Sequence, residues 1–182
     1  MQFKIKDIKV RISFTFFALV LLLVIFRKND FLYLTCFFAV FHEMGHLFAL
    51  RNFGVIITDF EISFLGANIK TENFKKIKPA EEIKILFAGP FVNLLILNVF
   101  ILLNCFYEKE LFTKICLINL CLFIFNMLPF YNFDGGKIIE ILLKCKFREK
   151  TSDVLITCIS FIILIPFIWF SINVFLKNNS NF

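Results

Sequence analysis

Residues 31–50 read FLYLTCFFAVFHEMGHLFAL, and this stretch decides the fold of the chain. Nearly all of it is apolar, and about 20 such residues let an α-helix cross the hydrocarbon core of a bilayer. His42, Glu43 and His46 interrupt its second half. A charged side chain at the centre of a membrane helix costs roughly 2.5–3.5 kcal/mol on insertion scales. Three ionisable residues clustered in one such helix therefore indicate a function.

The rest of the chain is also strongly apolar. Of its 182 residues, 59% are hydrophobic and 29 are Phe, and the mean hydropathy is +0.83. This composition excludes an ordinary soluble domain. We predict an all-α fold, a polytopic bundle of about five to six transmembrane helices that fills residues 1–182 as a single membrane domain. The apolar stretches are residues 10–26, 31–50, 83–106, 115–128 and 154–176.

The first stretch has two interpretations. Four basic residues lie before it or at its start, Lys4, Lys6, Lys9 and Arg11, as they do in a secretory signal peptide. Its apolar run is long, however, and RKND follows at residues 27–30 in place of a small-residue cleavage site. We therefore expect an uncleaved first span.

The distribution of basic residues predicts the topology. With the N-terminus inside and five spans, most of the 20 Lys and Arg residues face the cytoplasm. This arrangement places the C-terminus outside unless the segment after Asp134 adds a sixth crossing. The formal net charge of +6 then comes from residues beside the membrane, where they contact anionic lipid of the bilayer. We expect no nucleic-acid partner.

The longest polar interval is residues 51–82, and Gly54 near its start is a candidate helix terminator. Residues 59–64 alternate polar and apolar side chains, and Gly66 follows as a turn residue. We predict a short strand or hairpin at the membrane surface. It is either a covering loop or an edge strand that holds an extended substrate. Residues 137–147 are too short to span and predict an interfacial or partly inserted helix.

The spacing of the two histidines predicts a metal site. Residues four apart share a helix face, so His42 and His46 can bind one ion while Glu43 lies near a metal-bound water. A catalytic zinc takes three protein ligands and an open position. Since the chain has only 2 His, the third ligand must be a carboxylate or a cysteine.

Asp134 is the strongest candidate for the third ligand. The apolar segment before it contains Pro129, which should end or kink its helix, and Gly135 and Gly136 follow. This pattern predicts irregular backbone at membrane depth, which is tolerated only where protein or a water-filled cavity surrounds it. The alternative is that Asp134 is a turn residue or the N-cap of the next helix.

Gly89-Pro90-x-x-Asn93 lies inside the third apolar stretch. Taken alone, it predicts a kinked helix in which the glycine allows close packing and the asparagine bonds to a neighbour.

Three motifs together resemble the site-2 protease (M50) family of intramembrane zinc metalloproteases. They are His42-Glu43-x-x-His46, Gly89-Pro90-x-x-Asn93, and Asn126-x-x-Pro129 with Asp134-Gly135. The resemblance implies one Zn²⁺ per chain held by His42, His46 and Asp134, with Glu43 as the catalytic base. It implies that Asn126, Pro129 and Asn93 position the substrate.

Within that family, the chain is most similar to the group of stage IV sporulation protein FB. It shares with that group a small size, a short N-terminal segment and the absence of a PDZ domain between the second and third spans. Members of that group cleave a membrane-associated sigma-factor precursor, and many carry a CBS domain that we do not expect here. The resemblance implies a bacterial-type inner membrane, a membrane-associated protein substrate, inhibitory membrane partner proteins and an active site reached from the cytoplasm.

Two other functions remain open. A non-enzymatic zinc-binding membrane protein or carrier would need ligands on several spans, and histidine occurs here on one. A zincin at the membrane surface would need an amphipathic helix, whereas residues 37–50 are apolar nearly all round.

Overall fold

The computed structural model describes residues 2–5, 8–12, 30–63, 66–71 and 77–179. The chain divides into two compact units, Met1–Phe125 and Asn126–Phe182, and each is described by itself. The described residues are mostly helical, as predicted. The prediction of a single membrane domain remains a prediction.

Helix α1, Asp30–Asn52, contains the whole apolar stretch at residues 31–50. It ends as Gly54 predicts, because this glycine takes a left-handed conformation with φ +68°. The Gly54 N–H donates to the Arg51 carbonyl at 3.1 Å, and the Val55 N–H donates to the Leu50 carbonyl at 3.0 Å. This pair of bonds is a Schellman motif, and Val55 packs with Leu50 in one apolar cluster.

Helices α2, Pro79–Tyr107, and α3, Glu110–Met127, complete the helices of the first unit. Pro79 begins α2, a position where its missing N–H and fixed φ carry no penalty. Phe38 of α1 packs with Ile115 and Ile118 of α3 in a second apolar cluster. Helix α3 ends two residues before Pro129, as that proline predicts.

In the part of the chain that the structure describes, three helices are long and apolar enough to cross a membrane, and they are α1, α2 and α3. They correspond to the predicted spans at 31–50, 83–106 and 115–128. Large apolar side chains on their surfaces are exposed, including Phe48, Leu102 and Phe106. This is the surface expected of helices whose solvent is lipid.

The predicted count of five to six spans is not reached among the described residues. Of the first predicted span, residues 10–12 lie in a strand and residues 13–26 lie outside the described residues. The last predicted span, 154–176, falls within helix α5, Glu149–Asn179.

The predicted helical fold with a short strand or hairpin also contains a larger element, a four-stranded sheet. Its strands are β1, Gln2–Ile5, β2, Ile8–Ile12, β3, Ile57–Ser63, and β4, Gly66–Thr71, in the order β1-β2-β3-β4. The predicted hairpin is confirmed, since β3 and β4 pair antiparallel. The N-terminal hairpin β1–β2 was not predicted, and β2 pairs parallel with β3.

The second unit contains helices α4, Asp134–Lys144, and α5. Helix α4 begins three residues before the predicted 137–147. Its N-cap is Phe133, so Asp134 lies in the first helical turn and is neither the N-cap nor on irregular backbone, which corrects both expectations. A Cβ on Gly135 would overlap the Met127 carbonyl, and one on Gly136 would overlap the Phe130 carbonyl. The paired glycines thus permit a close approach of the preceding turn.

Candidate metal centre

Helix α1 places His42 and His46 side by side, one turn apart, as their spacing predicts. Both imidazoles are buried, with exposed fractions of 5% and 9%. Their Nε2 atoms lie 3.2 Å from each other. Two buried nitrogens of this kind, directed to one point, form a site suited to a cation.

The other nitrogen of each ring is held by helix α2. His46 Nδ1 lies 2.8 Å from the carbonyl oxygen of Ile85, and His42 Nδ1 lies 2.6 Å from Oδ1 of Asn93. Because a backbone carbonyl can only accept, His46 Nδ1 carries the proton and Nε2 carries the lone pair. A hydrogen bond at the far nitrogen is the usual way in which a protein orients a metal-binding histidine.

Asn93 is completely buried, with an exposed fraction of 0%. Its Oδ1 faces His42, and its Nδ2 donates to Oδ1 of Asn119 on α3 at 3.0 Å. In this arrangement both ends of the amide contact protein, as expected of an asparagine that bonds to a neighbour. The observed role of Asn93 is to hold an imidazole, and its predicted role in substrate positioning stays a prediction.

Gly89 keeps the space at the two Nε2 atoms clear. A Cβ built on this glycine would lie 2.7 Å from His42 Nε2 and closer still to His46 Nε2. The Gly89-Pro90-x-x-Asn93 motif therefore contributes twice, one turn apart on α2. Gly89 leaves space at the Nε2 atoms of both histidines, and Asn93 is the hydrogen-bond partner of His42 Nδ1. The residues of the first unit fit a bound metal.

Gly89→Ala is expected to weaken Zn²⁺ binding roughly ten- to hundredfold, since overpacking of this kind costs about 1–3 kcal/mol and falls here on the ligating atoms. Competition with a chelator of known affinity measures the change. Gly45→Ala is the matched control, because its Cβ would press on the Ala88 carbonyl at 2.7 Å in the same helix contact but not on the imidazoles. Equal zinc affinity in Gly89→Ala and Gly45→Ala would contradict this function of Gly89.

The remaining predicted site residues are placed as follows. Glu43 is half-buried and adjoins His42 on α1. In the second unit, Asp134 is buried, with an exposed fraction of 8%, and Asn126 and Pro129 are partly buried. The Ser160 hydroxyl oxygen accepts a hydrogen bond from the Tyr131 N–H at 3.2 Å and lies 3.1 Å from the Pro129 carbonyl oxygen, which holds the turn before α4.

Two residues that help to hold the imidazoles in place were not predicted from the sequence. Asn119 lies in the middle of an apolar span, and a polar residue in that setting is a signal that could have identified it. Ile85 acts through its backbone carbonyl, so no side-chain pattern points to it.

Comparisons with known proteins identify the family of the chain. The model of the family described as Peptidase family M50 matches residues 31–112 and 106–167. The chain is 28% identical over 157 residues to a zinc metalloprotease of Methanocaldococcus jannaschii, a match that covers 80% of this chain and 45% of that protein. It is 28% identical over 131 residues to the Bacillus subtilis protein YydH, covering 68% of this chain and 52% of that protein.

Among solved structures, the chain is similar to a site-2 protease from Methanocaldococcus jannaschii. The TM-score is 0.68 at 26% sequence identity, and the match covers 97% of this chain and 88% of that chain. The chain spans about half the length of the curated relatives it matches, 45% and 52%.

Proposed function

The chain belongs to peptidase family M50, and from this membership and the buried histidine pair we propose that it is an intramembrane zinc metalloprotease. It would hydrolyse a peptide bond in or near the membrane-associated segment of a protein substrate. The observation that carries the proposal is the pair of Nε2 atoms 3.2 Å apart on a membrane-type helix, with Glu43 next in sequence to His42. Membrane-spanning helices make the chain an integral membrane protein.

We propose that Asp134 completes the ligand set. His42, His46 and Asp134 are two imidazoles and one carboxylate, all buried, and residues of these types could together hold a metal ion. Three protein ligands with one position left open are the donor set of a catalytic zinc. With this ligand set, each chain would bind one zinc.

When bound, zinc supplies a water of lowered pKa and polarises the carbonyl of the scissile bond. Residues of the chain transfer the protons and orient the ligands. Glu43 accepts the proton from the attacking water and returns a proton to the leaving amine. The hydrogen bonds to Ile85 and Asn93 hold the imidazoles, so no reorganisation of the ligands is needed during the reaction.

Substrate presentation is proposed to use strand β4. This strand is the last of the described sheet, and it contacts α1, the helix that carries the histidines. An extended peptide can pair with the edge of a sheet through backbone hydrogen bonds. The concentration of Lys and Arg in the intervals that the predicted topology places inside supports access from the cytoplasm.

A sporulation sigma-factor precursor is the finer proposal for the substrate. It is supported by the short interval between β4 and α2, residues 72–78, which is too short to hold a PDZ domain. Inhibitory membrane partner proteins belong to the same proposal. Co-expression with a membrane-associated sigma-factor precursor, followed by immunoblotting for a shortened product, tests it.

One experiment in proteoliposomes distinguishes a protease from a zinc carrier. We expect the purified protein to cut a membrane-anchored reporter in the hydrophobic segment, to stop when a zinc chelator is added, and to resume when zinc is restored. The same vesicles should show no zinc uptake above that of protein-free vesicles. Zinc flux without cleavage would instead support the carrier, although both histidines of the sequence lie on one helix.

A further inference from the structure

We propose that Asn119 is a positioning residue that fixes the tautomer of His42 through Asn93. The proposal rests on the proposed function, because it concerns the same zinc ligand. Asn119 does not contact the imidazole itself. Its effect passes along a chain of hydrogen bonds that runs from the α3 backbone to the metal-facing nitrogen.

The direction of this chain of hydrogen bonds is set at its far end by a backbone carbonyl. Asn119 Nδ2 donates to the carbonyl oxygen of Ile115 at 2.9 Å, one turn earlier in α3. A carbonyl oxygen can only accept, so Asn119 must present its NH₂ group there. Its Oδ1 is thereby directed to the other side, toward α2.

Asn93 is oriented in turn. Because Asn119 offers Oδ1, Asn93 presents Nδ2 to it, at 3.0 Å, and its own Oδ1 then faces His42 Nδ1 at 2.6 Å. An amide oxygen only accepts, so Nδ1 of His42 must carry the proton and Nε2 must carry the lone pair. Each orientation follows from the previous one. The first is set by the Ile115 carbonyl oxygen, which can only accept a hydrogen bond.

Burial prevents the side-chain amides of Asn93 and Asn119 from flipping. Asn93 and Asn119 both have exposed fractions of 0%, so a flipped amide would leave two acceptors facing each other without water to separate them. Without Asn119, Asn93 could turn its NH₂ group to His42, which would then carry its proton on Nε2, the atom that binds the metal. His46 is independent, because the Ile85 carbonyl fixes it directly.

The test uses purified full-length protein and zinc itself as the ligand, with affinity measured by chelator competition. Asn119→Leu, which has a similar volume but no amide, is expected to weaken zinc binding about tenfold, at the lower end of the range for outer-shell partners. Asn119→Asp is expected to restore it, because a protonated carboxyl can donate to Ile115 and accept from Asn93. Asn98→Leu is the matched control, since Asn98 also donates to a carbonyl one turn earlier, that of Leu94 at 2.7 Å, but is exposed.

A double-mutant cycle separates positioning from damage to packing. If Asn119 acts only through Asn93, then Asn119→Leu added to Asn93→Ala should cause no further loss of zinc affinity. Additive losses, or an Asn119→Leu protein that binds zinc as tightly as the wild type, would overturn the inference and leave the proposed function intact. A wild-type protein that binds no zinc would overturn both.

Discussion

Glu43→Gln is expected to lower the rate of peptide hydrolysis by roughly 10²–10⁴-fold and to leave one zinc bound per chain. The amide is nearly the same size as the carboxylate but cannot accept the proton of the attacking water. The two imidazoles retain their partners, because their Nδ1 atoms are held by Ile85 and Asn93 and not by Glu43. The initial cleavage rate and the zinc content of the same preparation measure the two effects.

Glu110→Gln is the matched control for this substitution. Glu110 is an exposed residue at the start of α3 that forms an ion pair with Lys114 at 2.7 Å, and an exposed pair of this kind contributes little to stability. We expect wild-type activity from it. A Glu43→Gln protein that cleaves at the wild-type rate would remove Glu43 from the chemistry.

Asp134→Asn is expected to impair both zinc binding and cleavage, with a loss of zinc affinity above the roughly 10- to 100-fold that outer-shell changes produce. A carboxylate binds zinc far better than a neutral amide does, and Asp134 is buried, with an exposed fraction of 8%. A buried carboxylate needs a compensating charge or hydrogen bonds, and a metal supplies that charge.

Asp153→Asn makes the same chemical change at an exposed aspartate of α5, where the carboxylate lies 3.6 Å from Lys144. Zinc affinity should then equal that of the wild type. If Asp134→Asn bound zinc as tightly as Asp153→Asn, the third ligand would have to be sought among the other carboxylates and the cysteines.

The helices and the histidine pair could be predicted because their signals are local. An apolar run of membrane length defines α1, and residues four apart share one helix face wherever that helix lies. Gly54 and Pro129 likewise affect only the backbone next to them, and helices α1 and α3 end where these residues predict.

The N-terminal hairpin was missed because two signals overlap in one segment. Residues 2–5 and 8–12 alternate apolar and mostly basic residues, the pattern of a strand, but basic residues before an apolar run also indicate the flank of a first span. The parallel pairing of β2 with β3 joins segments about 50 residues apart, and no local pattern encodes that pairing.

The partners of the imidazoles could not be predicted for a similar reason. His42 and Asn93 are 51 positions apart, and His46 and Ile85 are 39 apart, so each contact depends on how α2 packs on α1. The sequence indicated that Asn93 was functional but not which group it contacts. Buried polar residues in apolar helices identify candidates, and only packing assigns their roles.

The proposed reaction is the hydrolysis of a peptide bond inside the membrane, and detection of the cut is its most direct test. Zinc-loaded protein is reconstituted with a membrane-anchored peptide in water labelled with heavy oxygen, and the products are identified by mass spectrometry. We predict a single cut within the hydrophobic segment, with one labelled oxygen in the new carboxyl terminus, and formation of this product by Glu43→Gln that is roughly 10²–10⁴-fold slower. An intact peptide in the presence of zinc-loaded wild-type protein, or equal cleavage by Glu43→Gln, would contradict the claim.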